Sequence, residues 1–362
     1  MKLHLFNPEH DVALASGLSN FTAPHAGRQI RADLGFLPAL WANGDDVILV
    51  DSQAYAETAW GRFSKRLEVH GLYGFKDKHP QFLQHRPYLH SLKPEALLPW
   101  GWDAALCATL RRNGYPDELL PADEELARIR LLSHRRTSAR LLTLLQMDGT
   151  VGEAFECTRT EEVETLLCRY GQVVMKAPWS SSGRGLRFLS VAHTPFNMQA
   201  GWFRNVVSAQ GSVMVEPYYN KVKDFGMEFS VDNGVIHYEG LSLFHTANGA
   251  YVGNIVACED TKRELLGAYV SLDLLDKISN AIVNRLDLGQ YSGLFGVDMM
   301  VVGNHDPASA NGWLIHPCVE INLRRTMGHV ALSLPEASDG LLRVMRIHFD
   351  GKHYKLKIIK LR

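Results

Sequence analysis

The chain has 362 residues, and its 38 Lys and Arg against 39 Asp and Glu give a formal charge of −1, which excludes a nucleic-acid-coating surface or a polybasic membrane anchor. At 46% hydrophobic and 21% charged it is composed like a globular protein of two or three domains, not a disordered one. Five scattered cysteines (Cys107, Cys157, Cys168, Cys258 and Cys318) form no C-x-x-C pair, which argues against a disulfide framework or a thiolate zinc site and for a reducing compartment. The start, Met-Lys-Leu-His-Leu-Phe, runs straight into polar Asn7 to Asp11 with no signal-peptide core, and no segment approaches the apolar length of a membrane span. The expectation is a soluble, cytoplasmic protein.

Residues 1–6 read as a short strand ended by Pro8. Ala26 to Ala42 is helical in pattern, Asn43-Gly44 marks a turn, and Asp46 to Val50 is a second apolar strand. Strand, helix and strand in that order open a parallel sheet. Residues 51–120 mix aromatics, prolines and histidines and read as helical with loops. From Asp123 a helix is expected, then another from Arg135, placing a domain boundary near 122–133. Beyond it lie a helix from Glu161 and strands at Gln172 to Lys176, Ser212 to Glu216 and Phe225 to Val231. Leu265 to Leu286 reads as one amphipathic helix. Gly293 to Val302 and Trp313 to Leu323 read as paired strands whose hairpin tip is Asn304 to Asn311. The tail from Lys352 to Arg362 alternates with period two, as an edge strand guarded by lysines would.

Four islands in the second half carry chemistry. In the first, the strand ending at Lys176 runs into Ser180-Ser181-Ser182-Gly183-Arg184-Gly185. Such a loop lets backbone N–H groups converge on phosphate oxygens, with Lys176 adding a point charge, although alone a Ser/Gly turn is usually only a turn. The second is Glu216-Pro217-Tyr218-Tyr219 at a strand end, either a structural stop or a hinge whose backbone faces a purine. The third is Asp298 within an apolar strand. The fourth is Glu320-x-Asn322-x-Arg324, whose period of two puts all three on one face. Two carboxylates and an amide oxygen are hard ligands suited to Mg²⁺, and an arginine beside them suits a phosphoryl or carboxylate group.

In this order the islands resemble the ATP-grasp superfamily over roughly residues 126–345. The resemblance implies an α/β protein: an N-terminal Rossmann-like domain (1–125), then a two-lobed ATP-grasp domain with lobe 1 over 126–215 and lobe 2 over 216–362. It implies that Lys176 holds the α/β-phosphates, that Ser180, Ser181, Ser182, Gly183 and Gly185 form the loop closing over them, and that Glu216, Pro217 and Tyr219 form the adenine hinge. Asp224 stands near the place of a ribose-binding acid. Asp298, Glu320 and Asn322 match the metal-binding triad, and Arg324 the arginine that steadies the transferred group. Arg135 stands where the family often has a phosphate-binding lysine.

The implied activity is that of an ATP- and Mg²⁺-dependent ligase, with Mn²⁺ as a substitute metal. A substrate carboxylate becomes an acyl phosphate, which an amine or thiol captures. Lys176 and Arg324 are the expected catalytic residues, and Lys176→Ala is expected to lose orders of magnitude in rate with the fold intact. Two other readings stand beside it: a phosphotransferase acting on a hydroxyl, and a non-catalytic nucleotide-binding regulator. The expected partners are small-molecule carboxylate and amine substrates, with no nucleic acid or membrane, in an architecture compatible with a homodimer. Near the N-terminus, His10 and Asp11 lie where a parallel sheet binds ligands, but a satisfied histidine and a helix-capping aspartate are the simpler expectation. Arg28 and Arg31 read as a solvated helix face, and His245 as a residue that could line the site. No H-E-x-x-H or comparable spacing among 16 histidines supports catalytic zinc.

Overall fold

Short apolar runs near the N-terminus pair in parallel. The chain passes through β1 (Lys2–Leu5), α1 (His10–Ser16), α2 (His25–Leu34), β2 (Val47–Val50), α3 (Gln53–Val69), β3 (Gln81–Gln84), β4 (Ala96–Pro99) and α4 (Ala104–Arg112). The strands lie in the order β3-β2-β1-β4. On β2, Val47 and Leu49 enter one core and Ile48 and Val50 another, so the unbroken Val-Ile-Leu-Val run belongs to a strand covered on both faces. The computed structural model describes residues 1–84, 92–180, 185–247, 250–303 and 312–361, with the backbone alone at 245–247, 250 and 251.

Two expectations for this region need correction. β3 and β4 fall in the stretch read as helical with loops; at four residues each they are too short to display a period. The helix expected over Ala26 to Ala42 ends at Leu34 and is followed by a 3₁₀ turn, Leu37–Leu40, because Pro38 has no N–H for an α-helical ladder.

Next come α5 (Asp123–Leu132), whose three acidic first-turn residues suit the positive end of the helix dipole, and α6 (Arg135–Leu144). A small antiparallel sheet follows, built from β5 (Phe155–Cys157), β6 (Gln172–Lys176), β7 (Leu186–Ser190) and β8 (Val213–Pro217) in the order β5-β8-β6-β7. It is covered on one face by α7 (Thr160–Tyr170) and α8 (Ala200–Gln210). Val173, Met175, Val213 and Val215 point into that core. Alternation therefore turns Val174, Lys176, Met214 and Glu216 to the opposite face.

The rest of the chain forms β9 (Lys221–Asp232), β10 (Val235–Ala247), β11 (Ala250–Val256), α9 (Glu259–Gly267), α10 (Leu272–Arg285), β12 (Gly293–Gly303), β13 (Trp313–Asn322), α11 (Met327–Leu332), β14 (Arg343–Phe349) and β15 (Tyr354–Lys360). Its seven strands make one antiparallel sheet, β13-β12-β9-β10-β11-β14-β15. The stretch from Leu265 to Leu286 is two helices, not one. α9 stops at Gly267, Val270 drops into the core, and Ser271 is extended (ψ 133°) before α10 begins. The buried valine keeps the apolar period across the break, which is why the pattern hides it. β12 and β13 pair as expected, and the tip expected at Asn304 to Asn311 lies outside the described residues. β15 is the edge strand expected of the tail, and its Leu356 and Ile358 join a core with Phe36, Leu37 and Trp60. Among the described residues no helix is long and apolar enough to cross a membrane.

Candidate active site

At the end of β6, Lys176 Nζ donates to Glu216 Oε2 at 2.6 Å, and both side chains are 7% exposed. Beyond Lys176 the chain is clamped by the α5–α6 junction. Arg135 donates from its backbone to Pro178 O (3.2 Å) and from Nε to Ala177 O (3.1 Å), while Trp179 Nε1 donates to Arg130 O (2.8 Å) beneath the Arg130 guanidinium. Arg135 Nη2 reaches Ser180 Oγ (3.4 Å) and Glu320 Oε1 (2.8 Å), joining the loop to the acidic strand. Gly185 opens β7 from Leu186: Ala177 N–H donates to Gly185 O (2.9 Å), φ is +70°, and a Cβ there would lie 2.7 Å from Ser180 Cβ. Glycine meets both conditions. Ser181, Ser182 and Gly183 lie outside the described residues.

The acidic strands are set by register. On β9 and β12, Phe225, Met227, Phe229, Phe295, Val297 and Met299 face the core, so the alternate residues Asp224, Glu228 and Asp298 share the other face. Asp298 stands opposite Glu320 and Gly296 opposite Asn322. Pro317, with no N–H for the ladder, falls where the β12–β13 register shifts. Burial, with the charges of Glu320 and Glu228 nearby, pushes the Asp298 carboxyl up to about 8. Asn322 Nδ2 donates to Asp298 Oδ2 at 3.0 Å. Asp224 pairs with Lys221 (2.6 Å), and the Tyr219 hydroxyl accepts from Glu153 N–H (3.0 Å).

The N-terminal sheet supplies a third wall. Its strand order reverses at β1, where parallel sheets bind ligands beyond the strand ends. There Asn7 ties β1 to the segment after β4, donating to Gly101 O (2.8 Å) and accepting from Trp100 N–H (3.0 Å). Buried His10 meets Asp103 at 3.3 Å, the satisfied histidine expected. Asp11 caps no helix; it receives Arg324 Nε and Nη2, both at 2.7 Å, across 313 residues of sequence. Burial opposes its charge, but Arg324 outweighs that and holds the carboxyl below its usual range. Arg31 is likewise no bare solvated face, since it pairs with Glu9 and Asp51. The side chain of His245 lies outside the described residues.

No family model matches the chain, and no curated protein matches it. Solved structures do. A biotin carboxylase–β,γ-ATP complex from Campylobacter jejuni aligns with a TM-score of 0.50 at 12% identity, over 96% of this chain and 75% of that one. The chain has the ATP-grasp fold. N5-carboxyaminoimidazole synthetase from Staphylococcus aureus with ADP aligns at 0.48 and 13% identity, over 96% and 82% of the two chains. An ATP-grasp superfamily protein from Archaeoglobus fulgidus aligns at 0.45 and 13%, over all of both.

The small β5–β8 sheet and the seven-stranded sheet are separate sheets of that fold. Lys176, Glu216, Arg135, Ser180, Asp298, Glu320 and Asn322 are joined by the contacts and strand pairing above, and Arg324 joins them through Nη2, which donates to Asn322 Oδ1 at 2.9 Å. The sequence motifs did not single out Glu228 or His316, and they marked Asp11 as a helix cap or ligand contact, not as the partner of Arg324. Glu228 is buried, accepts from Thr326 Oγ1 (2.8 Å) and stands 3.0 Å from His329 Nδ1. It shares the signal that marked Asp298, one acid in an apolar strand. His316, fully buried against Tyr219, has no hydrogen-bond partner for either ring nitrogen among the described residues. Among those residues no three His, Cys, Asp or Glu side chains form a group that could hold a metal; the residue beside Asp298 and Glu320 is an amide, Asn322.

Proposed function

We propose that the chain is an ATP- and Mg²⁺-dependent ligase that activates a small-molecule carboxylate as an acyl phosphate for capture by an amine or thiol. The observation that carries this is the Asp298–Glu320 pair beside Asn322 and Arg324, joined through Arg135 to the turn that follows Lys176. The donor set fits Mg²⁺: hard oxygens from adjacent strands, where burial and then the charges of Glu320 and Glu228 raise the Asp298 carboxyl. Bound there, Mg²⁺ would neutralise charge on the β- and γ-phosphates. Lys176 and Arg135 hold phosphate oxygens, exchanging Glu216 and Glu320 for them. Glu216, Pro217 and Tyr219 seat the base, Asp224 the ribose, and Ser180 to Gly185 exclude water. The neighbouring structure named for biotin carboxylase is in keeping with ligase chemistry.

The test is ADP release across a panel of carboxylate and amine pairs, with hydroxylamine added. An acyl phosphate is trapped as a hydroxamate, the result expected; a phosphorylated hydroxyl with no hydroxamate would overturn the ligase in favour of a phosphotransferase. Nucleotide binding with no ADP release on any pair would favour a regulatory protein.

A further inference from the structure

We propose that Asp11 is a positioning residue, through which the N-terminal sheet holds Arg324 off the metal-binding carboxylates and fixes the amide of Asn322. The inference rests on the ligase proposal and adds the N-terminal region to its machinery. Two parallel N–H···O bonds of 2.7 Å define the plane of the Arg324 fork, and the pair is 15% and 22% exposed, sheltered enough for that geometry to persist. Two of the three remaining N–H donors are also engaged. Arg324 Nη1 donates to Arg325 O (3.1 Å) and Nη2 to Asn322 Oδ1 (2.9 Å). Asn322 in turn donates from Nδ2 to Asp298 Oδ2 (3.0 Å). Because an amide's two ends differ as donor and acceptor, this chain of contacts turns the Asn322 nitrogen to Asp298 and its oxygen to Arg324, so a metal would take that oxygen in place of the Arg324 donor.

Without Asp11, the Arg324 guanidinium is left beside Asp298 and Glu320, whose charges it already feels. A cation turned onto those carboxylates competes directly with a divalent metal. The backbone would stay docked meanwhile, because Arg325 N–H donates to Trp100 O (2.9 Å) and its guanidinium lies 4.0 Å above the Trp41 ring. The loss is therefore expected in the site, with the fold kept.

Wild-type protein, Asp11→Asn and Arg324→Lys are titrated with Mn²⁺ by electron paramagnetic resonance in the presence of a non-hydrolysable ATP analogue, and their melting temperatures are recorded. Asp11→Asn is expected to weaken Mn²⁺ binding about 10–100-fold, the range for loss of a group supporting a metal ligand. Arg324→Lys, which loses the fork, is expected to do the same, and the double variant no more than either alone. Unchanged Mn²⁺ affinity in a folded Asp11→Asn, or additive losses in the double variant, would overturn the role of Asp11. If Asp11→Asn does not fold, Arg324→Lys decides by the same measure: unchanged affinity overturns the inference. Wild-type protein that binds no Mn²⁺ with the nucleotide would overturn the ligase proposal and this inference with it.

Discussion

Lys176 and Glu216 exemplify a buried ion pair, and substitution of one member strands the other. Lys176→Ala is thus expected to lose more than catalysis: an unpaired Glu216 at that depth costs about 3–5 kcal/mol of stability. Replacing both, as Lys176→Met with Glu216→Leu, should recover most of that loss in urea unfolding while leaving the protein unable to bind nucleotide. Expecting an intact fold from the sequence alone overlooked the partner, which sits 40 positions away on another strand. His316 allows a pH prediction. Burial holds its imidazole neutral down to about pH 4 in the folded chain, whereas it takes a proton below about 6.5 when unfolded. The unfolded state binds more protons in that window, so stability falls as pH drops from about 6.5 towards 4, by at most about 3 kcal/mol. Unfolding at pH 7 and pH 5 should show His316→Leu losing less over this step than wild type; equal losses would mean the ring finds a partner when protonated.

At the scale of elements, legibility followed length and chemistry. β6, β8, β12 and β13 were readable because apolar runs end in Lys176 and Glu216 or enclose Asp298 and Glu320, whose residue types suggest a task. β3 and β4 were not, since four residues carry no period, and the α9–α10 break was hidden by a buried valine. Close packing is equally invisible in sequence. Gly328 in α11 faces Glu228 so closely that an added Cβ would fall 2.5 Å from Ser242 Oγ and nearer still to the Glu228 carboxylate. Gly328→Ala is expected to destabilise by about 1–3 kcal/mol by overpacking, seen as a lowered melting temperature. An unshifted melt would show that α11 can slide away from β9.

Across the whole molecule, the order of the four islands pointed to the ATP-grasp fold, but the assembly around them was not legible. Asp11 and Arg324 are separated by 313 residues, and nothing local in either segment signals the other. The C-terminal hairpin behaves alike. Leu356 and Ile358 share a core with Phe36, Leu37 and Trp60, and Asp33 accepts from Tyr354 N–H at 2.8 Å. A fragment of residues 1–125 would expose that apolar face. It is expected to unfold without a cooperative transition in urea, whereas the full chain unfolds sharply; cooperative unfolding of the fragment would mark it as self-sufficient.

Each cation assigned to the nucleotide or the transferred group already rests against a carboxylate of the chain itself: Lys176 on Glu216, Arg135 on Glu320 and Arg324 on Asp11. Such a site casts little field into solution, so it cannot draw a polyanion in from a distance. Nucleotide capture should then be governed by the rate at which these contacts exchange, not by long-range attraction. In stopped-flow measurements with a fluorescent ATP analogue, the association rate is expected to change less than about threefold when ionic strength rises tenfold, far below the response of a steered encounter. A steep fall with salt would mean instead that the cations stand free before the nucleotide arrives.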